Sequence, residues 1–248
     1  MTISKTYRLL RFPAVSAVLV AFAAACGGSG APAKDVNATP GEQQQSEHLT
    51  RLPTLQSEVG ALDPDQVDKA FSDAMPQLKR CFKEGAKRVE FISGSANFFV
   101  KVDGSGRIVH AHLEQSSLGD RETEKCMLGA LGNRSWPKPQ AGETGFFRKS
   151  LDFDSSGDTR PPAELSGDFV AKALEEGDTP GRIRECKNGS SGRFNATMYV
   201  DTDGHVLAAG MAPPDEQGEA AVDCLVAALK NGTFPSPGSW PAKVTFGL

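Results

Sequence analysis

Two stretches of this 248-residue chain repeat each other at a constant offset of 98 residues, and this repeat limits the possible folds more than any other feature. Between residues 94 and 139, 12 of 46 positions are identical to the residues 98 positions later, without a gap. Many of the identical residues are glycines, prolines or a cysteine, which backbone geometry constrains most. They are Gly94, Asn97, Val102, Asp103, Gly106, Ala111, Cys126, Ala130, Leu131, Asn133, Pro137 and Pro139. The chain is therefore predicted to contain two copies of one structural unit.

Four of the five cysteines follow this repeat. Cys126 corresponds to Cys224, and Cys81 corresponds to Cys186 once the second copy is shortened by seven residues. Four cysteines allow three pairings. Because each copy holds one early and one late cysteine, the simplest pairing in an oxidising compartment lies within each copy. It joins Cys81 to Cys126 and Cys186 to Cys224. Each disulfide would close a loop of about 40 residues and contribute up to roughly 4 kcal/mol.

The first copy has the pattern of a helix, two strands, a second helix and a last strand. Asp63 and Gln66 form a capping box ahead of an apolar helical face, and Pro76 is expected to kink or split that helix. Alternating apolar residues then predict a β-hairpin, in which Val109 and Leu113 face the core. The predicted elements are a helix from Asp63, strands over 95–102 and 107–114, a helix over 120–131 and a strand over 146–153.

The second copy predicts the same order of elements. Its first helix starts near Ser166 and breaks between Gly177 and Pro180, and its remaining elements are strands over 194–200 and 205–211, a helix over 218–230 and a strand over 242–246. A disulfide between the two helices of a copy would hold both on one face of its sheet. The predicted fold class is α+β, with two tandem two-layer units that each carry a three-stranded antiparallel sheet, over residues 61–156 and 163–248.

The amino end has the pattern of a bacterial export signal. A basic start precedes an apolar run from Phe12 to Ala25, which at 14 residues is shorter than the about 20 that cross a bilayer. Small residues then stand directly before Cys26, which resembles a lipobox, although Ala23 replaces the usual leucine. The resemblance implies cleavage after residue 25 and a lipid on Cys26. Gly27, by the same analogy, favours the outer membrane. The analogy does not distinguish its periplasmic face from its surface face.

Composition limits the possible partners of the mature chain. Removing Lys5, Arg8 and Arg11 with the signal leaves 24 basic and 31 acidic residues, a net charge of −7, so we expect no nucleic-acid binding. Residues 26–60 are rich in glycine, proline and glutamine, lack a hydrophobic period and are predicted to form a disordered tether. The predicted partners are thus the membrane, through Cys26, and a protein of the cell envelope.

The repeated pattern resembles the TonB-like C-terminal domain, and its cysteine-bearing version resembles the C-terminal domain of the AgmX/PglI gliding-motility proteins. The likeness covers about 180 residues and rests on Cys81, Gly94, Asp103, Gly106, Arg107, Ser116, Ser117, Leu118, Asp120, Cys126, Trp136 and Pro137. It implies a fold that binds extended peptides at a sheet edge, without catalytic residues. It also suggests a role as a binding or scaffold module in a motility or envelope-spanning assembly.

One group of residues supports an alternative function, that of a metal-binding protein or a metal-assisted enzyme. His110, His112 and Glu114 alternate along the second predicted strand and could share one face as metal ligands. A solvated strand face explains the same pattern, and the second copy has alanine and glycine at the equivalent positions. No nucleophile elbow, phosphate-binding loop or paired acids are present, so we expect a protein that is not an enzyme and needs no cofactor.

Overall fold

The computed structural model describes residues 59–155 and 157–248. It contains two helix-and-sheet units in the predicted order, which confirms the α+β fold class. The first unit has α1 (Pro64–Arg88), β1 (Gly94–Asp103), β2 (Ile108–Ser116), α2 (Arg121–Gly132) and β3 (Thr144–Phe153). The second unit has β4 (Ala163–Leu165), α3 (Asp168–Glu175), α4 (Thr179–Lys187), β5 (Asn195–Val200), β6 (Val206–Ala212), α5 (Glu219–Lys230) and β7 (Ala242–Gly247).

Helix α1 begins after the predicted cap Asp63, but the Gln66 side chain bonds the Asp63 carboxylate instead of the Asp63 backbone N–H that a capping box uses. The Asp63 carboxylate accepts hydrogen bonds from the backbone N–H groups of Asp65 and Gln66, and the Gln66 amide donates back to it at 2.8 Å. Of the two expectations for Pro76, the split was wrong, because α1 continues through this residue without interruption. Pro76 lies on the exposed side of α1, where water can hydrogen-bond the carbonyl that a proline leaves free.

The first sheet has the order β2-β1-β3, and both pairings are antiparallel. Its β1 strand alternates between buried and half-buried residues, which is the pattern of a sheet with one face on the core. The prediction that Val109 faces this core was wrong, since its side chain is 54% exposed. Lys101 pairs with His110 and Val102 with Ile108, so Val109 is an extra residue in a β-bulge.

The second sheet has the order β4-β7-β5-β6, one strand more than the three that we predicted. The additional strand is β4, which consists of three residues and pairs in parallel with β7. The first helix of this unit is divided into α3 and α4, as the break near Gly177 predicted. Almost every residue of β5 and β6 is buried, unlike the alternating residues of β1.

Two disulfides join the early and late helices of each unit, and they are the pairs expected from the repeat. Cys81 is bonded to Cys126, and Cys186 is bonded to Cys224. The aromatic residues that follow α2 and α5, Trp136 and Phe234, are both buried.

Candidate binding surface on the first unit

The outer face of the second sheet, opposite its helices, is covered by the first unit. The Tyr199 hydroxyl contacts the backbone of Ser93, and the Lys243 ammonium donates to the Ser93 carbonyl at 2.9 Å. Phe91 packs on the Tyr199 ring. Burial raises the pKa of Tyr199 to about 12 and lowers that of Lys243. Both repeats therefore belong to one compact unit of the chain.

A carboxylate is buried where the two units meet. Glu124 of α2 accepts hydrogen bonds from the Ser116 hydroxyl at 2.6 Å and from the Met211 backbone N–H, on the edge strand β6, at 3.1 Å. A β-carbon at Gly210 would overlap the Glu124 carboxylate. Burial raises the pKa of Glu124 to about 7, although both hydrogen bonds favour the charged form. Glu124 thus accepts a hydrogen bond from the edge strand β6 that the carbonyl of a neighbouring strand would otherwise accept.

Charged pairs border this interface at positions that the repeat relates. Arg121 and Glu219 are 98 residues apart and form an ion pair at 2.7 Å. Lys125 and Asp223 have the same separation and pair at 2.8 Å. Equivalent positions of α2 and α5 therefore carry opposite charges and contact each other. Comparing the two copies for charge reversal would have found these residues from sequence.

The outer face of the first sheet has a different surface. We call it the open face and define it by Phe99, Lys101, His110, His112, Phe146 and Arg148. Phe99 and Phe146 stack with ring centroids 5.6 Å apart, and the Arg148 guanidinium lies about 5 Å from both rings. Phe146 is 45% exposed. The open face thus offers aromatic rings and a cation to solvent.

Strand β3 is the outer edge of the first sheet. The Ser117 N–H donates to the Ser95 carbonyl at 2.9 Å, so the odd-numbered residues of β1 direct their backbone groups to β2 and the even-numbered ones to β3. On the far side, the Gly60 N–H donates to the Thr144 carbonyl at 2.6 Å. Even-numbered residues of β3 therefore direct N–H and C=O away from the sheet. Beyond Thr144, no strand within residues 59–155 and 157–248 pairs with this edge.

The three residues of the predicted metal site are not brought together as ligands. His110 Nε2 and His112 Nδ1 are 2.9 Å apart, whereas Glu114 binds Arg148 through both of its oxygens. His110 lies 3.6 Å from Glu216 of the second unit. Burial, and then the charge of His110, lowers the pKa of His112. Among the residues that the structure describes, no group of three histidine, cysteine or acidic side chains could hold a metal ion.

The predicted lipidation site and most of the predicted tether lie outside the described residues. Val59, which falls within the predicted tether, bridges to Thr144. No helix of the described ranges is long and apolar enough to span a membrane. Comparisons with family models, with curated proteins and with solved structures found no match.

Proposed function

We propose that this chain is a protein-binding module of the cell envelope, which binds an extended segment of its partner along β3. The observation that carries the proposal is the open edge of that strand. Phe146, Arg148, Ser150 and Asp152 direct backbone donors and acceptors to solvent, in register with the sheet. A bare edge of this kind pairs readily with another chain, and many peptide-binding domains use it.

Main-chain hydrogen bonds and side chains would contribute separately to such binding. The backbone groups of β3 would supply affinity for an extended segment of almost any sequence. Specificity would come from the side chains beside the edge, because residues directly opposite in a sheet have their β-carbons about 5 Å apart. On the open face these are Phe146 and Arg148, which favour apolar and acidic side chains on the partner.

The location of the module is part of the same proposal. A lipid on Cys26 would hold the chain at the outer membrane, and the residues up to 58 would separate the module from the bilayer. The likeness to TonB-like domains of the AgmX/PglI type supports peptide binding and suggests a motility or envelope-spanning assembly as the setting. A Cys26→Ser variant should appear in the soluble envelope fraction, which can be measured by fractionation; retention in the membrane would argue against the anchor.

Removal of one backbone donor tests the binding proposal. Ser150→Pro deletes an N–H that faces away from β1, and proline is tolerated at such an edge position. Ser150→Ala is the matched control, because it removes the same side chain and keeps the N–H. Envelope proteins captured by the wild type and by Ser150→Ala should be lost with Ser150→Pro, at unchanged melting temperature. Equal capture by all three forms would reject the β3 edge as the binding site.

A further inference from the structure

The geometry of β3 restricts how a second copy of this strand could pair with it. In an antiparallel pair, residues opposite each other must lie on the same face, and hydrogen-bonded pairs must both direct their backbone groups toward the partner. Both conditions require even-numbered residues to oppose even-numbered residues. Val59 and Gly60 already contact Thr144, so only the later part of the strand is free.

One register makes this free part complementary to itself. When Ser150 opposes Ser150 of the second copy, Arg148 opposes Asp152, and the twofold axis produces this opposite-charge pair twice. All three positions are exposed and lie on the open side of the sheet. On the helix side the same register places Phe147 opposite Phe153. Cross-strand pairs of opposite charge and of two aromatic rings are the favourable kinds.

Neighbouring registers lack this complementarity. Centring the pair on Arg148 or on Lys149 places that cation opposite its own copy, and like charges directly opposite destabilise a sheet. The Arg148 centre would also extend the pairing to Thr144, which Val59 occupies. Centring on Leu151 moves Asp152 opposite Ser150 and shortens the pairing by one residue at each end.

We propose that β3 pairs antiparallel with β3 of a second copy of this chain around an axis through Ser150, forming a dimer. The two sheets would join into one of six strands, three from each copy. The inference rests on the proposed function, because it uses the same edge and the same backbone groups. Self-pairing and partner binding therefore exclude each other, and the dimer is the form that keeps the edge covered until a partner replaces the second copy.

Charge exchange between two single variants tests the register. In the Arg148→Asp variant two acids face each other across the axis, and in Asp152→Arg two cations do. Each variant alone should raise the dimer dissociation constant by about tenfold or more. An equimolar mixture restores an acid opposite a cation at both sites, so it should form a heterodimer as tight as the wild-type dimer. Sedimentation equilibrium of disulfide-bonded residues 27–248 measures the dissociation constants of the wild type, of each variant and of the mixture.

The outcomes separate this inference from the proposed function. Single variants that weaken association without recovery in the mixture would overturn the Ser150-centred register. A wild-type chain that stays monomeric at every concentration, for instance because the α1 helices collide, would overturn self-pairing altogether. Either result leaves the function intact if Ser150→Pro still abolishes partner capture. Unchanged capture by Ser150→Pro would instead reject the proposed function, whatever the oligomeric state.

Discussion

The two repeats share a fold but use the outer faces of their sheets differently. In the second unit, Thr197, Tyr199, Ala208, Gly210 and Lys243 are buried under the first unit. Their counterparts in the first unit are, in order, Phe99, Lys101, His110, His112 and Phe146. Four of the five residues of the covered sheet are smaller than their counterparts or lack their charge. This allows the first unit to pack against the covered sheet. The first unit keeps large side chains on the same face and leaves it open.

This difference shows which part of the molecule is available for a partner. The outer face of one repeat packs against the other repeat and holds the two together, so that face is covered and is not available to a partner. The equivalent face of the other repeat contacts the second unit at its β2 margin, where His112 is buried and His110 approaches Glu216. A duplicated domain can thus use one copy as a scaffold and the other as a binding module.

The early helices of the two units also differ, in how many of their residues are buried. Helix α1 buries six residues, whereas α3 buries one and α4 none. The first unit therefore holds its early helix by packing as well as by a disulfide. The second unit holds α4 through the Cys186–Cys224 bond and through partly buried residues such as Ile183. The repeats should respond differently to the loss of equivalent covalent links.

The largest expected effect comes from removing a disulfide. The loops closed by Cys81–Cys126 and Cys186–Cys224 span 45 and 38 residues, so chain entropy predicts a loss of about 4 kcal/mol of unfolding free energy for either. Only the second removal should also release a helix. Hydrogen exchange in Cys186→Ala/Cys224→Ala should show loss of protection across α4. The same protection in α1 should survive in Cys81→Ala/Cys126→Ala; loss in both would erase the difference between the units.

A smaller loss of unfolding free energy is expected when a side chain is added at the contact between the units. Gly210→Ala places a methyl group against the Glu124 carboxylate and the Asp120 backbone, which should cost about 3 kcal/mol in urea unfolding. The comparison on the open face is Lys101→Ala, at a half-buried position of β1, and it should cost under about 1 kcal/mol. Similar losses for both variants would mean that the covered and open faces are not energetically distinct.

The pH dependence of stability tests the same contact. Burial raises the pKa of Glu124 from its ordinary 4.5 to about 7. Between these values the folded chain keeps a proton that the unfolded chain has lost. Stability should therefore fall as pH rises from 4.5 to about 7, by up to about 1.4 kcal/mol per pH unit from this group.

Glutamine at this position separates the contribution of Glu124 from those of other groups. Glu124→Gln should lack this slope, while Glu122→Gln, on the exposed side of the same helix, should keep it. The lowered pKa of His112 produces an opposite slope below pH 6.5 in all three forms, so it cancels in the comparison. Parallel pH profiles for wild type and Glu124→Gln would show that the carboxylate does not titrate in this range.

The order of the elements and the cysteine pairs could be predicted because they depend on local patterns and on the repeat. The helix cap at Asp63 and the alternation in β1 each depend on neighbouring residues. The packing of one unit on the other could not be predicted, because it joins residues that are 81 to 150 positions apart. Two signals were present, however. The run of small apolar residues in β6 lacks alternation, which indicates a strand buried on both faces, and Arg121 and Glu219 reverse charge at equivalent positions.

Phe146→Ala should have the smallest effect on stability and a clear effect on partner binding. Phe146 is half exposed and packs on Phe99, so Phe146→Ala should change the unfolding free energy by less than about 1 kcal/mol. Its counterpart Lys243 is buried and bonded to Ser93, so Lys243→Ala should cost more. Because Phe146 flanks the free edge, its loss should still weaken partner capture several-fold. Normal capture by Phe146→Ala would confine recognition to the backbone of β3.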